Sequence, residues 1–375
     1  ASLEDSTKIH YFTRIKYYET DYYLDEKMDF VLDFHKKSLD KVQAEELKRY
    51  LETDSGADNS SFAKVTIHSS FDNFSWGTLK PQVITEVVPT IKEFNTETAA
   101  VQLVYYVKAK TDSGEEVYLV EEFYRIRYTQ NRVYLLNYER TMESVFDIDL
   151  TSMAKSEFKV GITQDTAMKL FTSGENNNLA FVRQDALWYY NLEQNRAVKV
   201  FGFLDENKDY LREGHDQHAV RILNMDEEGN IDFVVYGYMN SGAYEGKVAL
   251  ILYRFTAANN QVEELVYVPL ETTYQMLKEE VAAFSYVSSN DMFYFTVNST
   301  LYCYDIVAKQ LKTVAIGINE NNFAAMIEEG GYGAAWVDTV DGKSIMTILN
   351  LETGAETVVE AKSGESIQVY GNIGA

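Results

Sequence analysis

The chain has 375 residues, 46% of them hydrophobic, and a formal net charge of −24 from 34 basic and 58 acidic side chains. That length and apolar content exclude extended disorder and call for two domains or one large β array. The negative field repels phosphate backbones and anionic headgroups, which argues against nucleic acid and against a basic membrane-binding patch.

Tyr and Phe are abundant, at 28 and 20 residues, and such side chains suit pleated surfaces that are apolar on the body and wet at the tip. The one cysteine, Cys303 in LYCYD, rules out an intramolecular disulfide and a thiolate cluster, and its strand-like setting reads as inert core. No stretch reaches the ~20 apolar residues of a membrane-spanning helix. The opening Ala1-Ser2-Leu3-Glu4 is no signal peptide and fits a processed form, so any membrane anchor is expected outside this sequence.

In chain order, MDFVLDFHKK (28–37) reads as a strand, followed by a helix over 39–53. Asp40 and Gln43 have the N-cap and N3 spacing, and Leu39, Ala44, Leu47 and Leu51 make an apolar stripe. A second helix is expected in QVITEVV (82–88), with Pro89 ending it or starting another. Three antiparallel strands follow: 99–110, 117–128 and 132–141, joined by the polar turns TDSGEE and TQN. Helix on meander predicts an α+β domain over residues 1–140.

Beyond it, FDIDLTSMAKSEFKV, WYYNLEQNRAVKVFGF, LYRFTAANNQVEELVYV, LYCYDIVAKQLKTVAIG and ILNLETGAETVVEA share one plan: strand, polar turn, apolar strand. Anchors at Leu150, Leu192, Phe255, Ile306 and Leu351 lie 42, 63, 51 and 45 residues apart. A period of about 40–50 residues, with four strands per unit, is the signature of propeller blades. The fold class is therefore mainly β: the α+β domain, then a β-propeller-like array of four-stranded antiparallel blades over 141–375. One long interval holds a helix, with Tyr274, Leu277, Val281 and Phe284 on one face. The longest holds YGYMNSGAYEG (236–246), a hairpin connection longer than those of its sister repeats.

That loop is expected to project beyond the rim. Tyr236, Tyr238, Asn240 and Tyr244 are its candidate ligand-binding residues, with glycines permitting positive φ or close approach. His215 and His218 in REGHDQHAVRI join them as candidates, although i, i+3 spacing does not place both on one metal ion, and no metal site is expected. GAYEGKV is no phosphate loop: three residues separate its glycines where four are needed, and Val248 follows Lys247 where Ser or Thr would bind magnesium. DEEGNID (226–232) lacks the spacing of a calcium loop and reads as a turn. Neither GxSxG, HExxH nor a GxGxxG turn occurs, so no catalytic residue and no cofactor is assigned. Asp147 with Asp149, and Glu121 with Glu122, are the paired carboxylates that an alternative role, a carbohydrate-active propeller hydrolase, would use.

On LAFVRQDALWYYN and the run DQHAVRILNMDEEGNIDFVVYGYMNSGAYEGKVALILYRF, the region from about residue 140 to 375 resembles a family of uncharacterised proteins from clostridial Firmicutes. The resemblance implies an extracytoplasmic, propeller-like part that is membrane-tethered in the full-length protein, with no catalytic residues to carry over. The expected role is a non-enzymatic binding, sensory or scaffold module at the cell surface. Its partner would be a protein or a carbohydrate; nucleic acid is not expected, and membrane contact is expected only through the anchor.

Overall fold

The computed structural model describes residues 17–369 other than 112–113, 130–131, 147–152, 155–156, 159–160, 164–167, 174–176, 205–209 and 329–330. Two compact units divide between Met168 and Lys169.

The first unit opens with α1 (Leu24–Ser38), where the sequence reads as a strand. The helix buries Lys27, Val31, Phe34, His35 and Ser38, a spacing of three to four, whereas Leu32 from the apparent alternation Phe30-Leu32-Phe34 is exposed. Asp25 and Glu26 in the first turn, and His35, Lys36 and Lys37 in the last, complement the helix dipole. Asp40 then accepts from the Val42 and Gln43 amides at 2.9 Å each, starting a 3-10 helix over Gln43–Tyr50.

The sheet beneath comprises β1 (Lys64–Thr66), β2 (Gln82–Val83), β3 (Val88–Phe94), β4 (Thr98–Thr111), β5 (Gly114–Thr129) and β6 (Arg132–Ser144), with α2 (Phe71–Phe74) following β1. Its order is β1-β6-β5-β4-β2, with β3 also paired to β4. The meander is the one the sequence predicts. The helix expected over 82–88 is instead strand and edge: its β-branched residues line β4, and the Ile84 amide donates to the Tyr106 carbonyl at 2.9 Å. Pro89, paired opposite Leu103, sits in the edge strand β3, the place where a sheet tolerates a missing donor. Tyr118, Val120, Glu122, Tyr124 and Ile126 of β5 alternate into the core. There Phe34 of α1 meets Phe74, Tyr124 and Tyr138 at ring distances of 5.5–5.6 Å.

The unit extends past residue 140 because β6 runs on to Ser144, whose amide donates to the Ile162 carbonyl at 2.9 Å. The FDIDLT repeat yields no blade: β7 (Met153–Ala154) pairs only with β8 (Glu157–Phe158), and Leu150 lies outside the described residues.

Among the described residues the second unit carries four four-stranded antiparallel sheets, each in sequential order, a propeller-like array. Blade 1 is β9 (Phe171–Ser173), β10 (Asn178–Arg183), β11 (Ala186–Asn191) and β12 (Arg196–Phe201). After α3 (Tyr210–Glu213), blade 2 is β13 (His218–Met225), β14 (Ile231–Tyr238), β15 (Val248–Thr256) and β16 (Gln261–Pro269). Helix α4 (Tyr274–Ala283) buries Tyr274, Leu277 and Val281, as the sequence pattern predicts. Blade 3 is β17 (Ser285–Val287), β18 (Met292–Val297), β19 (Thr300–Asp305) and β20 (Gln310–Ile316). Blade 4 is β21 (Phe323–Glu328), β22 (Gly331–Val340), β23 (Lys343–Asn350) and β24 (Glu356–Glu360).

Leu192, Ile306 and Leu351 occupy one position, the first residue after the third strand. Their amides donate to the carbonyls of Asn177, Asp291 and Tyr332 at 2.8–3.0 Å. In blade 2 that position is Ala257, two residues beyond the expected anchor Phe255, because β15 runs on through Thr256. Counting back three and five residues from each anchor gives the pairs Tyr189/Leu187, Arg254/Leu252, Cys303/Leu301 and Ile348/Met346. In blades 1 and 3 these pairs are buried in the apolar layer shared with the next blade.

Candidate functional site

Blades 1, 3 and 4 join their second and third strands by two-residue turns with positive φ at both residues: Gln184-Asp185, Asn298-Ser299 and Asp341-Gly342. Blade 2 spends residues 239–247 on the same connection. The loop is closed on itself: Met239 donates to the Lys247 carbonyl at 2.9 Å, and Gly246 to the Met239 carbonyl at 3.0 Å.

Gly242, Ala243, Glu245 and Lys247 of the loop are exposed, but its candidate ligand-binding residues are buried or half-buried. Tyr236 is 4% exposed and lies against Tyr274 of α4, with ring centroids 6.3 Å apart. The Asn240 amide nitrogen, buried, donates to the Glu213 and His215 carbonyls at 2.7 and 2.9 Å. Tyr244 is half-buried; its ring stacks on Tyr267 at 3.9 Å, and its hydroxyl donates to Glu264 at 2.8 Å. Tyr238, also half-buried, sits edge-on to exposed His215 at 5.5 Å. His218 is buried, its Nδ1 donating to the His215 carbonyl at 2.9 Å, and burial lowers its pKa to about 4. The two imidazoles therefore serve different partners. Gly237 explains one of the glycines: at φ 113°, an added Cβ would lie 2.5 Å from the Gln217 carbonyl oxygen and 2.7 Å from His218 Cα.

The carboxylate pairs behave differently. Asp147 and Asp149 lie outside the described residues. Glu121 and Glu122 point to opposite faces of β5. Glu121 accepts from Gln102 at 2.9 Å, whereas Glu122 is fully buried among His35, Tyr124 and Tyr138.

None of the six loop and histidine candidates lines a second feature of the blade array, a cleft between blades. That cleft, about 790 Å³, opens where blade 2 meets the turns of blades 3 and 4. Arg254 reaches across it, donating to both oxygens of Asp232 at 2.7 and 3.1 Å, and to Asp291 of the blade 3 turn at 3.2 Å. These bonds hold the guanidinium protonated against the opposing effect of burial. Asp232 and Arg254 are directly opposed cross-strand residues. The corresponding opposed pairs are Ala180/Tyr189 in blade 1, Tyr294/Cys303 in blade 3 and Ala335/Ile348 in blade 4. A charged pair thus stands where its sister blades carry uncharged, mainly apolar pairs.

The far wall is Tyr286, stacked on Tyr332 at 5.3 Å, and Glu352, the residue after the blade 4 anchor. Glu352 accepts from the Tyr286 hydroxyl, the Ser289 hydroxyl and the Ser289 amide. Desolvation pushes its carboxyl up, but the hydrogen bonds from Ser289 and Tyr286 outweigh it and leave the group below the usual carboxylate range. Asp226 accepts from the amide and side chain of Asn230 at 2.8 Å each. All four carboxylates of the cleft are therefore already held by donors. One blade earlier, a smaller cleft of about 460 Å³ is lined by Tyr189, Asn178 and Asn191, and Asn230 borders both clefts. Among the described residues no three His, Cys, Asp or Glu side chains group as metal ligands.

No family model and no curated protein matches the chain. Among solved structures it is similar to Porphyromonas gingivalis dipeptidyl peptidase 4, at 11% identity and a TM-score of 0.33, over 70% of this chain and 38% of that one. It is similar also to the extracellular domain of a putative one-component system from B. thetaiotaomicron, at 11% identity and a TM-score of 0.26, over 70% and 33% of the two chains. The WD40 domain of SCAP from fission yeast aligns at 8% identity and a TM-score of 0.24, over 76% and 75%. The chain thus spans about a third of the length of the first two structures it resembles.

Proposed function

We propose that the chain is a non-enzymatic binding module acting outside the cytoplasm, and that the cleft around Arg254 is where it meets a carbohydrate ligand. The observation that carries this reading is the Asp232–Arg254–Asp291 bridge, which puts fixed charges at a position filled by uncharged residues in every sister blade. Carboxylates, amides and hydroxyls around it match the donors and acceptors of a sugar, and Tyr332, 36% exposed, offers ring surface beside them. General acid–base work needs a carboxyl free to exchange a proton with substrate. Here each carboxylate is already engaged by Arg, Tyr, Ser or Asn donors, which favours binding over hydrolysis. An extracytoplasmic setting is compatible with the single, buried thiol, whose pKa burial raises, since no exposed cysteine needs a reducing compartment.

The test is affinity electrophoresis in gels containing soluble β-glucan, xylan or peptidoglycan fragments, with reducing ends assayed in parallel. Retardation by at least one glycan is expected, weakened at least tenfold in Tyr332→Ala, without release of reducing ends. Absence of retardation across the set removes the carbohydrate reading, and catalytic release of reducing ends removes the non-enzymatic one. Protease treatment of intact cells carrying the full-length protein tests location: resistance equal to that of a cytoplasmic marker would refute surface placement.

A further inference from the structure

The smaller cleft, one blade junction before the Arg254 cleft, is built at the same level of the repeat. In a four-stranded meander the turns from first to second strand and from third to fourth lie at one end of the sheet. Gln194, Glu228 and Ala258, on such turns of blades 1 and 2, line the smaller cleft of about 460 Å³. Asp226, Ser289 and Glu352, on the same kinds of turn in blades 2, 3 and 4, line the Arg254 cleft of about 790 Å³. Both clefts therefore open at one end of the blades. Asn230 and Thr256 line both, so the two meet along a shared border.

The lining of the smaller cleft suits an uncharged sugar. On its blade 1 wall the Tyr189 hydroxyl and the Asn191 side-chain amide donate to Asn178 Oδ1 at 2.7 and 2.9 Å. The first turn of blade 2 closes against that wall: a Cβ on Gly229 would lie 3.0 Å from the Tyr189 hydroxyl oxygen. Beside this fixed surface, the side chains of Gln194, Arg196, Glu228 and Asn260 make no hydrogen bond or ion pair with any described residue. That is the reverse of the Arg254 cleft, where every carboxylate is engaged. Carboxamides offer a donor and an acceptor together, as sugar hydroxyls do. Among the described residues Arg196 and Glu228 are the charged ones lining the cleft, one of each sign, so the lining carries no net charge.

We propose that the two clefts are one binding groove, and that its ligand is an uncharged glycan chain held along its length, successive stretches seated in each cleft. This rests on the carbohydrate reading of the Arg254 cleft. A cleft of about 300–1,000 Å³ encloses one compact small molecule, so two of that size with a shared border exceed what a mono- or disaccharide fills. The Arg254 cleft is the rigid seat, its polar groups bonded to one another. The smaller cleft supplies the free donors and acceptors, and a chain long enough to reach them makes that second contact intramolecular. Chain charge is set by the first seat: Asp226, Asp232, Asp291 and Glu352 face one guanidinium there, which repels a chain carrying carboxylates or phosphates.

Calorimetric titration of the whole chain tests this, with oligosaccharide ladders of about two to eight units cut from β-glucan and from xylan as probes. Affinity is expected to rise at least tenfold from the shortest to the longest member of a ladder. Arg196→Ala combined with Gln194→Ala should abolish that rise at an unchanged melting temperature, because both side chains are exposed and unbonded. Should this double variant fold poorly, Ala258→Trp, which fills the smaller cleft, should do the same. Tyr332→Ala should weaken every length. Equal affinity along the ladder, or a double variant that keeps the rise, overturns the shared groove and leaves the Arg254 cleft standing as a carbohydrate site. Binding confined to peptidoglycan fragments, which carry carboxylates, overturns the uncharged chain in the same way. No binding to any glycan at any length removes the carbohydrate reading and this inference with it.

Discussion

Replacing Glu122 by Gln tests the heart of the first unit. Glu122 is fully buried on β5, where its Oε2 accepts from His35 Nδ1 and the Tyr124 hydroxyl at 2.8 Å each, and its Oε1 from the Tyr138 hydroxyl at 3.1 Å. Desolvation alone would raise its pKa, but the hydrogen bond and charge of His35, the charge of Arg140 and the Tyr124 hydrogen bond together leave it lowered. Arg140 is itself fully buried, donating to the Phe74 and Asn73 carbonyls at 2.9 and 2.8 Å and stacked 3.7 Å over Trp76. The amide keeps the volume and removes the charge that Arg140 faces and that His35 hydrogen-bonds. Removing one member of a buried charged network costs about 3–5 kcal/mol. For a unit of this size, that corresponds to a fall in Tm of roughly 6–20 °C. Thermal unfolding followed by circular dichroism at pH 7 reads it directly. The pH dependence has a defined sign: a carboxyl whose folded pKa lies below its ordinary 4.5 contributes fully above about 4.5, and the contribution is lost as pH falls through the folded value. The gap between parent and Glu122→Gln should therefore close in acid. A variant melting within about 2 °C of the parent at pH 7 would refute the claim that this charge organises the core.

Gly237→Ala should destabilise the second unit by at least about 3 kcal/mol, since the new methyl meets two backbone atoms and the φ is unfavourable; a urea midpoint shift under 0.5 M would contradict this. Arg254→Tyr alone strands Asp232, 8% exposed, and should cost about 1–3 kcal/mol, whereas Asp232→Ala with Arg254→Tyr installs the blade 1 pair and should recover most of it; denaturant midpoints of the two variants, if equal, would refute the repeat alignment. His218 has a folded pKa depressed from 6.5 to about 4, so the unfolded chain takes up its proton first and stability falls as pH drops between these values, by roughly 3 kcal/mol in all. His218→Gln should flatten that slope, and an unchanged acid profile would show that other groups set it.

The sequence patterns that survived contact with the structure are those with long periods. The meander strands were legible because alternation continues over ten or more residues, and the blades because strand–turn–strand units recur. Residues 28–37 were misread because Phe30, Leu32 and Phe34 imitate alternation, while the buried set Val31, Phe34, His35 follows the helical period. QVITEVV has no long period at all, and its strand identity comes from the edge of β4. The tyrosine loop was visible as an insertion, yet its burial was not, because Tyr236, Asn240 and His218 are held by α4 and by carbonyls distant in sequence. The signal for the cleft was present and lost by two residues: anchoring blade 2 at Phe255 rather than Ala257 pairs Leu252 with Tyr189, and Arg254 then drops out of the column it interrupts.

That column supplies the argument for placing function at the cleft rather than at the loop. An ion pair taken partly out of water repays its desolvation poorly, and apolar residues of similar size usually stabilise as well or better. Blade 1 shows that this fold can fill the position with Ala180 and Tyr189. Stability alone therefore gives no reason for Asp232 and Arg254 to stand there, nor for Arg254 to extend to Asp291 on the next blade. The loop presents the opposite balance at Tyr236, whose burial against Tyr274 of α4 accounts for its place. A residue whose position costs stability without a packing return points to a site more strongly than one whose burial explains it.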